Sequence, residues 1–174
     1  MSAPEFSRTV KLRAIRQEPL SLEADAAERA ALAARFGISA IDSLHAAITL
    51  DPDGDRIAAS GRLQAAIVQA CAISGDDFPV AIDEDLEFVF VPAGREASAQ
   101  EGEEIELERE QLDEIEYHGD SFDLGEAIAQ SLALAIDPYA EGPGADAARE
   151  QAGLGTEDAP SGPLAEALAA LRKS

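Results

Sequence analysis

The chain is predicted to be α+β: an antiparallel β-meander packed by a helix in the N-terminal half and a C-terminal helix, then a flexible acidic Gly/Pro-rich tail. Three observations predict this. Period-two alternation of apolar residues persists over three segments between residues 44 and 90, separated by turn chemistry. Two D-x-x-E capping signatures, Asp25 with Glu28 and Asp123 with Glu126, each precede an apolar stripe of helical spacing. From residue 141 the composition turns to Gly, Pro, Ala and Asp, which bury too little apolar surface to offset ordering entropy. A single domain over 1–140 and a tail over 141–174, ending in a short helix around 164–171, are the expected organisation.

Taken in order, residues 6–12 predict a first strand, with Phe6, Val10 and Leu12 in one phase and Arg8 sharing it. A helix follows: Asp25 and Glu28 cap it, Leu32 and Phe36 are four apart, and Gly37 supplies the left-handed position that ends it. In the meander, Leu44, Ala46, Ile48 and Leu50 share a face, and Asp51-Pro52-Asp53-Gly54-Asp55 reverses the chain. Ile57, Ala59, Gly61, Leu63, Ala65 and Ile67 continue as one long strand toward Cys71, bent at Gly61. After Ser74-Gly75-Asp76-Asp77, the positions Phe78, Val80, Ile82, Leu86, Phe88 and Phe90 form a third segment, irregular near Asp83–Asp85. Residues 101–116 hold nine acids and one base, Arg109, as expected of an edge strand protected by charge. In the last helix Leu124, Ile128, Leu132 and Ile136 recur every fourth residue, and Pro138 stops it. Phe78, Phe88, Phe90 and Phe122 place the core between this helix and the sheet.

The 174 residues carry a net charge of −22, unevenly. Residues 1–40 hold six bases against five acids, whereas residues 41–174 hold seven against thirty. Such a body repels nucleic acid and anionic membrane and attracts basic partners. The first six residues lack the apolar stretch of a signal peptide, and no apolar run approaches the roughly 18 residues of a membrane span. With Cys71 the single cysteine, a reducing cytoplasm is the expected compartment.

Candidate chemistry is sparse. One cysteine plus His45 and His118 do not supply the four ligands of a structural zinc site, so neither metal nor cofactor is expected. Cys71, continuing an inward alternation, reads as a small buried hydrophobe. No nucleophile elbow and no phosphate loop occur, so no catalytic residue is assigned and the chain is read as non-enzymatic. An enzyme whose site assembles only in three dimensions stays open as an alternative. Arg8, Lys11, Arg13 and Arg16 fall within nine residues and are the candidates for RNA or partner contact. No aromatic platform accompanies them, so base stacking is not expected, and pairing with the protein's own acids is an equal alternative.

Several pieces recur in a characteristic order: the basic N-terminal strand, a helix ending Arg35-Phe36-Gly37, the run G-R-L-Q-A-A-I-V-Q-A-C from Gly61 through Gln69 to Cys71, the strand end F-V-F-V-P at 88–92, and D-L-G-E at Asp123, Leu124, Gly125 and Glu126. Together these resemble the YceD-like family of large ribosomal RNA subunit accumulation proteins, over residues 5 to about 140. The resemblance implies a part in the synthesis, processing or stability of large-subunit (23S) ribosomal RNA and in ribosome assembly. Ser74 stands where two-cysteine members carry a second cysteine, which removes a metal or redox role for that pair. Ala140-Glu141 stands where relatives often continue with proline and a base. Combined with the charge, the resemblance implies action through a basic ribosomal protein or rRNA-processing factor, with at most weak direct rRNA contact from the N-terminal cations. An acidic chaperone-like protein serving one basic client is the alternative.

Overall fold

The computed structural model describes residues 5–16, 18–94 and 114–153, and confirms an α+β fold. Two compact units divide it: residues 1–68 with 79–137, and residues 69–78 with 138–174.

Five strands form one sheet in the order β2-β3-β4-β5-β6: Leu20–Glu23, Ala40–Asp53, Arg56–Ala70, Asp77–Pro92 and Glu114–Tyr117. β3 and β4 pair antiparallel, and the turn between them rests on Gly54 at φ 64°, a conformation glycine adopts without cost. The expected alternation holds, since Leu44, Ala46, Ile48, Leu50, Ile57, Ala59, Leu63, Ala65 and Ile67 are all buried. One slip was not anticipated. The register shifts between Ile41 and Ser43, a bulge that lets Ile41 and Leu44 both face inward despite their odd spacing. β5 runs as one strand through Asp83–Asp85, with Ile82 and Leu86 buried on either side of exposed Glu84.

Both sheet edges depart from a pure meander. β2 adds antiparallel to β3, while β6 adds parallel to β5, pairing Val89 with Glu114 and Pro92 with Tyr117. The predicted charged edge strand falls mostly on residues 101–113, outside the described residues; its described end, β6, does lie at the sheet edge. Tyr117 anchors that edge by donating its hydroxyl to Asp55 O at 2.7 Å, and Arg56 pairs with Glu114.

The predicted first strand is shorter than expected. β1 spans Thr9–Lys11 and pairs with β7, Ser121–Asp123, before a 3₁₀ turn over Leu12–Ala14. α1, Ala26–Phe36, has the full capping box, with Asp25 and Glu28 each accepting the other's backbone N–H, and Gly37 closes it at φ 69°. α2, Leu124–Ala135, begins at Asp123 and buries Leu124, Ala127, Ile128 and Leu132, as its stripe predicts.

The α2 cap differs from the predicted reciprocal box. Asp123 accepts from Glu126 N at 3.1 Å, but the Glu126 carboxylate turns to Arg35 at 2.8 Å and to Gln130. Asp123 is also the last residue of β7, paired with Thr9, and its carboxylate takes two further bonds, from Ser7 Oγ at 2.6 Å and Arg8 N at 2.8 Å. One side chain thus caps the helix and ties the N-terminal strand to it. A cap alone contributes about 0.5–2 kcal/mol.

The core joins the sheet to α1 and α2. Phe90, fully buried, stacks on Phe122 with ring centroids 4.2 Å apart, and Phe88 lies beside it. Phe6 is equally buried. Phe78, expected in this core, belongs instead to the second unit, where a side chain at Gly142 would meet its ring at 2.8 Å.

The second unit contains a helix, α3, Ala145–Gln151, within the segment expected to be a flexible tail. Arg149 pairs with Glu141 and Asp146, Ala145 is buried, and Ala72 N donates to Ala140 O at 3.0 Å. The short helix expected at 164–171 lies outside the described residues.

Candidate functional site

The four N-terminal cations part company in the structure. Arg8 forks onto Glu28 at 2.6 and 2.8 Å, donates to Ser7 O and Glu23 O, and lies 4.4 Å from the centre of the Phe6 ring. The hydrogen bond with Glu28 raises the Arg8 pKa and lowers that of Glu28, the mutual shift of an ion pair. Arg8 therefore acts as a structural clamp between the N-terminal strand and α1. Lys11, Arg13 and Arg16 are exposed, and none forms an ion pair with a described residue.

Several positions that carried the family resemblance are closely packed. Gly61 sits where a β-carbon would lie 2.0 Å from Ala47 O, and Gly125 where one would lie 2.6 Å from Phe6 O. Close backbone approach accounts for both. Leu124 is wholly buried, Gln69 is buried, and Glu126 is held by Arg35, whose hydrogen bond lowers its pKa.

Cys71, in the second unit, is buried at 3% exposure, as predicted, yet its thiol has polar company. The N–H groups of Ile73 and Ser74 point at Sγ from 3.4 Å each, and Cys71 N donates to Asp76 O at 2.8 Å across the turn. The Ser74 side chain, then the backbone of Ser74 and Gly142, lowers the thiol pKa from 9.0 to about 7. Because the folded value lies below the unfolded one, the thiolate adds stability that is complete above pH 9 and lost as pH falls through 7. Thermal stability is thus expected to rise between pH 7 and 9, and Cys71→Ser to flatten that rise. Thiolate absorbance titrating near 9 in the folded protein would contradict it.

A surface suited to contact was not visible in sequence. Between β5, β6 and α2 lies a groove of about 530 Å³ whose floor includes Leu86, Phe88, Ile115 and Ala127, with Glu84, Asp85, Glu87 and Glu114 around it. A second hollow of about 400 Å³ adjoins it, sharing Ile115, Ala127 and Gln130 and adding Glu116, Asp123 and Glu126. Among the described residues, no lysine or arginine lines either. Two clues were present in the chain: Glu84 occupies the inward phase of β5, and Leu134 lies off the apolar stripe of α2. In the folded protein Glu84 is exposed and Leu134 is 88% exposed at the mouth of the groove.

Among the described residues, no group of three or more His, Cys, Asp or Glu is placed to hold a metal ion, and no helix is long and apolar enough to cross a membrane. His45 lies 2.9 Å from Ser21 Oγ on the outer face of the sheet, and His118 is exposed.

Comparison with known families decides the kinship. The profile described as "Large ribosomal RNA subunit accumulation protein YceD" matches residues 59–171, from β4 through α2 and beyond α3. The chain belongs to the YceD family. No curated protein and no solved structure matches it. The matched span holds the run from Gly61 to Cys71, the strand end at 88–92, and Asp123 to Glu126, which all carried the resemblance. It differs from the expected span at both ends. The N-terminal basic segment and α1 lie outside it, and it continues past residue 140 into the segment containing α3. Membership in the YceD family links the chain to accumulation of large-subunit ribosomal RNA.

Proposed function

We propose that the chain supports large-subunit ribosomal RNA accumulation as a non-enzymatic cytoplasmic adaptor that binds a basic protein, either a ribosomal protein or a processing factor. The observation that carries this reading is the arrangement of charge: a net charge of −22 with a groove whose described lining residues combine apolar side chains with carboxylates and include no lysine or arginine. Coulomb repulsion makes such a body a poor ligand for RNA and a good one for cations. Lys11, Arg13 and Arg16 provide a secondary rRNA contact. With Arg8 held by Glu28, three phosphate contacts at most are available, a log–log salt slope near −2 for single-stranded RNA, from about −0.7 per contact.

A non-enzymatic role accords with the described carboxylates whose pKa values are displaced. Glu28, Asp83 and Glu126 are all lowered, each chiefly by a hydrogen bond from an arginine, which is opposite to the raised value a general acid needs. The deciding experiment compares binding to protein-free 23S rRNA with binding to basic ribosomal proteins at matched salt, alongside sucrose-gradient sedimentation of the tagged protein. Expected are preferential protein binding and co-sedimentation with large-subunit precursors. Tight, salt-resistant binding to RNA alone would overturn the adaptor role, and recovery of one basic client free of ribosomal particles would favour a chaperone-like role instead.

A further inference from the structure

We propose that the groove between β5, β6 and α2 is the docking site for the partner, and that its occupant is an amphipathic segment bearing apolar anchors beside lysine or arginine. This rests on the adaptor reading and specifies where and what the adaptor grips.

The groove exists because the sheet outruns its cover. β5 presents Ile82, Glu84, Leu86, Phe88 and Phe90 in one phase, and burial is complete at Phe90, near complete at Leu86 and Phe88, and lost at Glu84. α2 ends at Ala135, where Ile136 turns extended at ψ 117°. The last turn of α2 therefore leaves an apolar wall, Leu134 and Ala135, which lines the groove together with Leu86 and Phe88 of β5. An almost fully exposed leucine at the lip of an apolar trough is a surface that loses water on contact.

Charge selects the occupant. Glu84 and Glu87 are exposed and form no ion pair with a described residue, so their fields reach outward. Glu114 is neutralised by Arg56, and Asp85 has only a 3.4 Å contact with Arg62. A second copy of this chain would bring the same carboxylates to the same trough and be repelled, and an RNA phosphate likewise. A segment with leucine-like anchors seats them on Leu86, Phe88 and Leu134 while its cations meet Glu84, which shares the β5 face of Leu86 and Phe88. This is a helix- or strand-in-groove recognition in which the anchors supply affinity and the rim supplies orientation and encounter rate.

The test uses the full chain, isotope-labelled, titrated with a Leu/Lys amphipathic peptide of about five helical turns and with a Ser/Lys peptide of equal charge. Expected are shifts confined to amides of 84–88, 114–117 and 127–135, affinity at least tenfold weaker for the Ser/Lys peptide, and a similar loss in Leu134→Ser. Leu134 is so exposed that the variant is expected to melt as the wild type does, and Glu84→Lys, at another exposed position, gives an independent second loss. Shifts spread across the acidic surface, equal binding of both peptides, or full binding by Leu134→Ser would overturn the proposal. So would self-association, detected by sedimentation, that Leu134→Ser abolishes. Pull-downs separate the two levels of the argument. Equal recovery of a basic ribosomal protein by wild type and Leu134→Ser removes the groove and leaves the adaptor, whereas no recovery by wild type removes the adaptor.

Discussion

Replacing Phe90 with alanine is expected to cost about 3–5 kcal/mol, the range for deleting a fully buried aromatic ring. Phe90 has no exposed surface and stacks on Phe122 at 4.2 Å with planes 25° apart, so it fastens β5 to β7 at the point where α2 begins. Stacking itself accounts for about 0.5–1.5 kcal/mol of the loss, beyond the area buried. Urea unfolding followed by far-UV circular dichroism measures the whole effect, and a double-mutant cycle with Phe122→Leu measures the coupling. Native domains hold only about 5–15 kcal/mol in total, so a large part of the stability goes with one ring. Phe90→Leu, which keeps most of the volume, is expected to lose much less. Equal losses for Ala and Leu would mean the site collapses around either residue and that the ring is not the fastener described.

How far the fold was legible depended on whether a signal was local. The α1 boundaries were, since Asp25, Glu28 and Gly37 act within four residues of their targets and need no tertiary partner. The three long strands were also legible, since alternation over fourteen or more residues states which side faces the core. Four-residue β6 was not: a parallel partner is set by a crossover, and E-I-E-Y is too short to carry a period. The slip at Asp42 was hidden because a bulge is an event between strands rather than within one. α3 was missed because A-D-A-A-R-E-Q has no apolar stripe and stands beside Gly and Pro.

The site was less legible still. Arg8 and Glu28 are twenty residues apart, and nothing in either neighbourhood says that they meet. The cluster of four cations is real as a sequence feature, yet the fold commits one of them to its own architecture and leaves three exposed. The groove needs residues from two strands and a helix at once. Its local traces, an acid in an inward phase and a leucine off its stripe, acquire meaning only when the gap between β5 and α2 is seen. The motif glycines show the converse: they are conspicuous in the chain, and their role is to let backbones touch.

That role makes Gly61→Ala the second severe substitution. Gly61 pairs with Ile48 across β3 and β4, and a β-carbon there would lie 2.0 Å from Ala47 O, 2.9 Å from Ala47 C and 2.8 Å from Ile48 Cδ1. The isoleucine tip can swing aside, but the carbonyl oxygen belongs to the strand itself. The two central strands of the sheet must separate locally, and a loss of about 3 kcal/mol is expected, the upper end of overpacking costs. For a domain of this size, about 3 kcal/mol corresponds to a fall of roughly 6–12 °C in Tm. The origin of the strain is checked by adding Ile48→Val: relief of the side-chain contact alone should recover little, because the oxygen remains in place. Substantial recovery in the double variant would assign the cost to Ile48 instead, and a Tm within a degree or two of wild type in Gly61→Ala would mean that the strands are free to part. Gly54→Ala serves as the contrast, since that position has open space and pays only for its φ of 64°. Its loss is expected to be about 1 kcal/mol, so the ratio of the two glycine effects reports close backbone approach separately from turn geometry.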